Sequence, residues 1–317
     1  MQVDRIDLTQ RVWVTAPMRP ADYQSFIGQK PLIKIVQTAI MSAKTSGAAL
    51  GHLLFTWPSG HGKTTLARII ASDMQVRVHQ ITAYALGKPA EIISLLNSLQ
   101  HGDILFIDEL HRLKPIIEEV LYVAMEDYSI DMLMPDGKPL RLSLSPFTLI
   151  GATTKSESLT PPLKNRFVYK LHFTDYTSEE KQQILLVCLD RLGICLHEPL
   201  LAEEMCSYFS STPREISNTI KQLHDRLIAH HGTDDLLVTP ERREQFRHDL
   251  QLQQWGLTAV HQSYLEVLQT FHGRPVGLKT IAVTLGMHEK AIEEDIEPLL
   301  LKLGKIEKTG KGRIQIV

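Results

Sequence analysis

Lys63 and Thr64 stand where an apolar strand would run into a helix. The stretch Leu53 to Ala67 reads LLFTWPSGHGKTTLA: an apolar run, a short Pro/Gly loop, then Gly-Lys-Thr-Thr opening a second apolar segment. A phosphate-binding loop is built in that order. Backbone N–H groups at Gly60, Gly62, Thr64 and Thr65 can face phosphate oxygens, Lys63 can reach the β- and γ-phosphates, and the Thr64 hydroxyl can hold Mg²⁺. A glycine-rich turn before an ordinary helix would give the same letters, so a second signal is needed. ILFIDE supplies it, an apolar run that ends in two adjacent acids. Asp108 is placed to bind the Mg²⁺ shell, and Glu109 to orient or deprotonate an attacking water. Acids at strand ends are common and solvated, but two such motifs in this order, roughly forty residues apart, argue for ATP or ADP with Mg²⁺ as cofactors.

Groups of this kind need a parallel sheet to carry them. The apolar runs near Leu53, from Asp103 to Leu110 and from Phe147 to Thr154 are short, continuous and separated by helical patterns. They predict an α/β domain whose sheet is covered on both faces. An amphipathic helix near Pro31 to Lys44 precedes the loop, and Pro-Asp-Gly between Met132 and Phe147 predicts a β-hairpin. Thr177 to Glu180, TSEE, carries a capping-box pattern, and from there to about Leu250 every periodic segment is helical. The remainder reads helix, helix, helix, then a two-stranded turn around Gly310 to Gly312, the order of a winged helix-turn-helix. The expected division is a lead-in at 1–18, an α/β ATPase domain at 19–174, an all-α lid at 175–250 and a winged helix at 251–317.

Composition sets limits on function. Hydrophobic residues make up 43% and charged residues 22%, which fits a globular protein with substantial cores. No apolar run is long enough to span a bilayer, and MQVDRIDLTQRVW has neither a basic nor an apolar signal region, so a cytoplasmic protein without a membrane partner is expected. Cys188, Cys195 and Cys206 form no C-x-x-C pair and read as buried thiols in helix-like sequence; the 14 histidines form no metal motif. Net charge is −2, yet Lys302, Lys305, Lys308, Lys311 and Arg313 face only Glu307 near the end of the chain. With Gly310 and Gly312 permitting a tight turn, Lys308, Lys311 and Arg313 predict a wing that contacts the phosphates of double-stranded DNA without reading sequence. A solvated basic tail is the plainer reading of the same residues.

FIDELHRL, EEVLYVAMEDY, PFTLIGATTK, LTPPLKNRF, TPREISN and RPVGLKTIAVTLG occur in this order. Together they resemble the RuvB family, the AAA+ motors of Holliday-junction branch migration, from about Arg19 to Arg313. The resemblance implies that Thr154, with Thr153 beside it, acts as a sensor of the attacking water. It implies that Arg166 is an arginine finger reaching a neighbouring subunit's γ-phosphate, and that Arg214 brings the helical lid onto the nucleotide. Met18 and Arg19 match the adenine side, and Glu126, Asp127 and Tyr128 match a stretch facing the nucleotide from the next subunit. A hexameric ring, a Holliday junction and a RuvA-like partner at the hairpin are further implications. Family arginines at the positions of Lys308 and Lys311 are lysines here, which keeps charge and loses bidentate geometry.

The departures from the pattern are Trp57 and Ser59 in the loop, His61 in place of an apolar residue, Lys164, Ser211, Thr174 in place of a tyrosine with Tyr176 nearby, and a short hairpin. Trp57 occupies the first glycine's place. Its cost is on the order of 1–2 kcal/mol only where the backbone takes positive φ. The phosphate-facing amides lie further on, and the indole can pack under the loop, so the substitution is expected to perturb nucleotide affinity without abolishing binding. Two other readings stay open on these residues: an ATPase-deficient module that binds DNA or a partner, and a clamp-loader-like ATPase.

Overall fold

The computed structural model describes residues 18–133, 139–208, 212–250 and 256–316. The chain forms two compact units, Met1–Glu180 and Lys181–Val317. In the first, α1 (Lys30–Ser46) leads to β1 (Leu53–Thr56), α2 (Lys63–Met74), β2 (Val78–Thr82), α3 (Pro89–Ser98), β3 (Ile104–Asp108) and α4 (Pro115–Asp127). There follow β4 (Ser129–Leu133), β5 (Pro139–Ser143), β6 (Thr148–Thr153), α5 (Pro161–Asn165) and β7 (Tyr169–His172). Five strands pair in the order β2-β3-β6-β1-β7, all parallel.

The period-2 alternation of strands explains why the apolar runs are continuous. Leu53, Phe55, Ile104, Phe106, Ile150 and Ala152 pack with α1 and α2 on one face. Their neighbours Leu54, Leu105, Ile107 and Leu149 pack with α3 and α4 on the other. Because every strand is parallel, the C-terminal ends of β1, β3 and β6 share one edge of the sheet, where ligands bind in open α/β folds. Two strands lacked a strong sequence signal: β2 and β7 are the edges, and their residues are mostly half-buried or exposed. The hairpin starts earlier than expected, at Ser129, with Ser129 opposite Ser143; its Pro-Asp-Gly turn lies outside the described residues.

The second unit begins within α6 (Ser178–Arg191). It continues through β8 (Cys195–Leu196), α7 (Leu200–Ser207), α8 (Pro213–His231), β9 (Leu237–Val238) and α9 (Pro240–Asp249). The stretch expected to be wholly helical therefore contains a short parallel bridge between β8 and β9. Cys195 lies on it and is exposed, against the expectation of a buried thiol, whereas Cys188 is buried. The winged-helix portion comprises α10 (Ala259–Thr270), α11 (Leu278–Leu285), α12 (Glu289–Ala291), a π turn (Ile292–Ile296), α13 (Glu297–Lys302), β10 (Ile306–Thr309) and β11 (Gly312–Gln315). Tyr264, Leu268, Ile281, Ile292, Leu300 and Ile306 form its core. Gly312 has φ 146°, and a Cβ there would sit 2.5 Å from the Val276 carbonyl oxygen, so the close approach of β11 to Val276 requires glycine. Among the described residues no helix is long and apolar enough to cross a membrane.

Candidate functional site

β1 delivers the chain into the loop, and the loop turns on two glycines. Gly60 has φ 85° and Gly62 φ 97°. At Gly62 a Cβ would also meet the Phe26 ring at 2.9 Å, so both backbone and space exclude a side chain. Gly62 caps α2 without a side-chain hydrogen bond, and the first turn of α2 holds no acid. The N–H groups of Lys63, Thr64 and Thr65 at this helix start form a donor set suited to phosphate oxygens. The donor chemistry and the glycine cradle both fit a Mg-nucleotide. Lys63 is buried, and its Nζ donates to the Trp57 and Pro58 carbonyls at 2.6 and 2.8 Å, which ties the ammonium to the loop it serves.

Trp57 takes φ 149°, a conformation that L side chains rarely adopt. Its N–H donates to the Thr153 carbonyl at 3.3 Å, which joins the end of β1 to the end of β6. The indole packs edge-on against His172 with ring centroids 4.6 Å apart and lies against the core beneath the sheet edge. Its Nε1–H is buried and has no hydrogen-bond partner among the described residues. His61 is also buried, with Nδ1 3.1 Å from the Ser59 carbonyl and Nε2 3.3 Å from Asp175 Oδ1. Burial pushes its pKa down, against the Ser59 and Asp175 hydrogen bonds, which favour the charged ring. Tyr176 stacks on His61 and donates its hydroxyl to the His61 carbonyl at 3.0 Å, so the tyrosine two places beyond Thr174 braces the loop. Thr174 is held by backbone bonds to the Gln29 side chain at 2.7 and 2.9 Å.

Asp108 ends β3, and its Oδ1 accepts the Glu109 N–H at 3.0 Å. Glu109 turns the chain with φ 53° into a short 3₁₀ helix at Leu110–Arg112. Its carboxylate lies 3.3 Å from His111 Nε2, and His111 Nδ1 lies 3.0 Å from Thr153 Oγ1. Thr153 is buried at the end of β6; Thr154, the expected sensor, is the next residue and half-buried. His111 went unnoticed in the sequence. The signal was present, since a polar ring three residues past Asp108 must lie near the same sheet edge.

Other expected residues fall into two further groups. Arg166 donates to the Tyr122 and Pro162 carbonyls at 3.1 and 3.0 Å, and pairs with Glu126 at 2.7 Å while lying over the Tyr122 ring. Asp127 pairs with Arg141 at 2.7 Å, and Tyr128 caps α4 with φ 47°. The structure thus gathers Arg166, Glu126, Asp127 and Tyr128 around the C-terminal end of α4. Met18 is half-buried and Arg19 exposed, on the segment whose Phe26 packs at Gly62. Arg214 is exposed in the first turn of α8 in the second unit, behind a capping box of Thr212 and Glu215; Ser211 lies outside the described residues.

At the wing, Lys308 and Arg313 face each other across β10 and β11. Both are committed to Glu297, whose side chain is fully buried: Arg313 Nε donates at 2.8 Å, Lys308 Nζ lies 2.5 Å away, and the Tyr264 hydroxyl donates at 3.0 Å. Arg313 also reaches Glu293 at 2.9 Å, and only 14% of its side chain is exposed. Burial pushes the Glu297 pKa up, but the Arg313, Lys308 and Tyr264 hydrogen bonds outweigh it and hold the carboxyl below its usual range. Arg313 is therefore anchored inside the wing by Glu297 and Glu293. Lys311, at the turn between the strands, is exposed.

The family model for the Holliday junction DNA helicase RuvB P-loop domain matches residues 18–173, and that for the RuvB C-terminal winged helix domain matches residues 254–315. A Holliday junction branch migration complex subunit RuvB from Neorickettsia sennetsu is 36% identical over 300 residues, covering 93% of this chain and 89% of the relative. The subunit of the same name from Campylobacter concisus is 38% identical over 301 residues, covering 94% and 88%. The solved Thermotoga maritima RuvB Holliday junction branch migration motor superposes with a TM-score of 0.80 at 34% identity, covering 94% of this chain and 95% of that one.

Proposed function

The chain belongs to the RuvB family, and we propose from that premise that its ATPase site drives duplex DNA in Holliday-junction branch migration. The observation that carries the reading is the shared sheet edge: the Gly60–Thr65 loop after β1 and the Asp108–Glu109 pair at the end of β3 flank Thr153 at the end of β6. In this reading the loop N–H groups and Lys63 hold the phosphates, Thr64 and Asp108 would hold Mg²⁺, and Glu109 orients the attacking water. The ion supplies charge neutralisation on the phosphate oxygens. Thr153 and Thr154 report from the end of β6, and Arg214 belongs to the lid.

Arg166 and the Glu126–Tyr128 stretch form one surface, which supports a role towards a neighbouring subunit's nucleotide in a hexameric ring. The Arg166–Glu126 ion pair must open for the guanidinium to reach a γ-phosphate in trans. The β4–β5 hairpin is the surface offered to a RuvA-like partner. On the wing, Lys311 meets the DNA phosphates while Lys308 and Arg313, bound to Glu297, hold the strands in place. The work is on cytoplasmic DNA. The test is conversion of a synthetic four-way junction into two duplexes with ATP, with and without a RuvA protein. The wild type converts the junction into duplexes and Lys63→Ala does not; equal activity in both would refute the reading.

A further inference from the structure

The His111 ring lies between two strand ends that the proposed chemistry uses, and it is 10% exposed. The direction of every hydrogen on this path follows from the partners. An ionised Glu109 carboxylate can only accept, so His111 Nε2 carries the proton it presents at 3.3 Å. In the neutral ring Nδ1 is then an acceptor, and the Thr153 hydroxyl must donate to it at 3.0 Å. The Thr153 oxygen in turn accepts the Lys155 N–H at 3.1 Å. Burial lowers the His111 pKa, Glu109 opposes it, and Arg112 and Lys155 add to it, which agrees with a neutral ring.

We propose that His111 is a positioning residue for ATP hydrolysis, fixing the Glu109 carboxylate and tying its orientation to Thr153 at the end of β6. The proposal rests on the reading of Glu109 as the water-orienting group. Glu109 needs such a partner. Its side chain is 32% exposed, and the Arg112 guanidinium stands 3.9 Å from the same Oε2 that His111 holds. Without the ring, Arg112 and solvent compete for the carboxylate, and its aim at a water is lost. The connection also gives the end of β6 a route to the base: a shift of Thr153 or Lys155 moves the acceptor that orients His111, and His111 moves Glu109. Neither His111 nitrogen bonds to the phosphate-binding loop, so turnover depends on His111 and nucleotide binding does not.

The test measures steady-state ATP turnover and the affinity for a fluorescent ADP analogue with Mg²⁺, on the full chain. His111→Leu removes both bonds and is expected to lower kcat about tenfold to a hundredfold, the cost of a misaimed catalytic group. Nucleotide affinity stays within about twofold of wild type, since the loop donors are untouched. His111→Gln, whose planar amide has a donor nitrogen and an acceptor oxygen, restores most of kcat. Thr153→Val cuts the path at its other end without a change of volume and reproduces the loss. If His111→Leu keeps wild-type kcat, if leucine and glutamine lose equally, if affinity falls with kcat, or if Thr153→Val turns over normally, the proposal is overturned. Glu109→Gln separates the two levels. Wild-type turnover in that variant refutes the assignment of Glu109 itself, whereas dependence on Glu109 with indifference to His111 refutes the positioning role alone.

Discussion

Replacing Trp57 by alanine and by glycine, in parallel, measures the strain at the head of the phosphate-binding loop. Both variants lose the half-buried indole; at roughly 100 Å² of contact and about 25 cal/mol per Å², that is about 2.5 kcal/mol. Both also remove the buried Nε1–H that lacks a partner among the described residues, which recovers about 1–3 kcal/mol. These two terms nearly cancel and are common to the pair, so the comparison isolates the backbone. At φ 149° alanine keeps the strain of the tryptophan, about 1–2 kcal/mol, and glycine relieves it. Glycine carries about 0.5–1 kcal/mol more unfolded-chain entropy. The net expectation is that Trp57→Gly exceeds Trp57→Ala in stability by about 1 kcal/mol, a difference of about 2–4 °C in the melting temperature of a unit this size. At an ordinary negative φ the order reverses. Thermal melts followed by circular dichroism decide the sign, with binding of a fluorescent ADP analogue as the second readout. Alanine more stable than glycine would refute the strained backbone at position 57.

Two further outcomes follow from buried ionisable groups. Glu297→Ala strands Arg313 with Glu293 alone, while Lys308, 41% exposed, can turn to water. The expected loss is about 3 kcal/mol, the low end for breaking a buried pair, seen as faster amide hydrogen exchange across α10, β10 and β11; unchanged protection would contradict the anchoring role. His52 is buried, accepts the Leu149 N–H at Nδ1 and donates from Nε2 to the Met125 carbonyl, so a second ring proton would displace the Leu149 bond. Burial lowers its pKa against the Met125 bond, so its contribution to stability is complete above the unfolded value of about 6.5 and is lost as pH falls below it. Melts at pH 7.5 and 5.5 should show a fall that His52→Gln reduces, with the rest coming from His61, His111 and His261, whose pKa values burial also lowers; an identical fall in both proteins would contradict this.

The residues legible in the sequence are those whose positions depend on a few neighbouring residues. Lys63 and Thr64 follow a strand and open a helix, and Asp108 ends a strand, so local pattern places them. The winged helix was legible for the same reason, since its helices carry period and its turn carries Gly310 and Gly312. What the sequence hid was pairing at a distance. Arg313 looks like a displayed cation until β11 places it against Glu297, sixteen residues earlier in the chain. Trp57 offered a conditional argument that only a φ value could complete. Tyr176 braces His61 from 115 residues away, which no local pattern reveals. His111 was hidden differently: it lay inside a recognised motif, but its role required knowing that Thr153 ends the neighbouring strand.

Whether the loop with tryptophan at its head still powers a motor is decided by Mg²⁺-dependent ATP turnover with and without duplex DNA, against Lys63→Ala. The wild type is expected to turn over ATP faster with DNA, and Lys63→Ala and Arg166→Ala to lose that turnover. Wild-type turnover no greater than that of Lys63→Ala, with DNA binding retained, would contradict this and leave a DNA-binding scaffold in place of the motor.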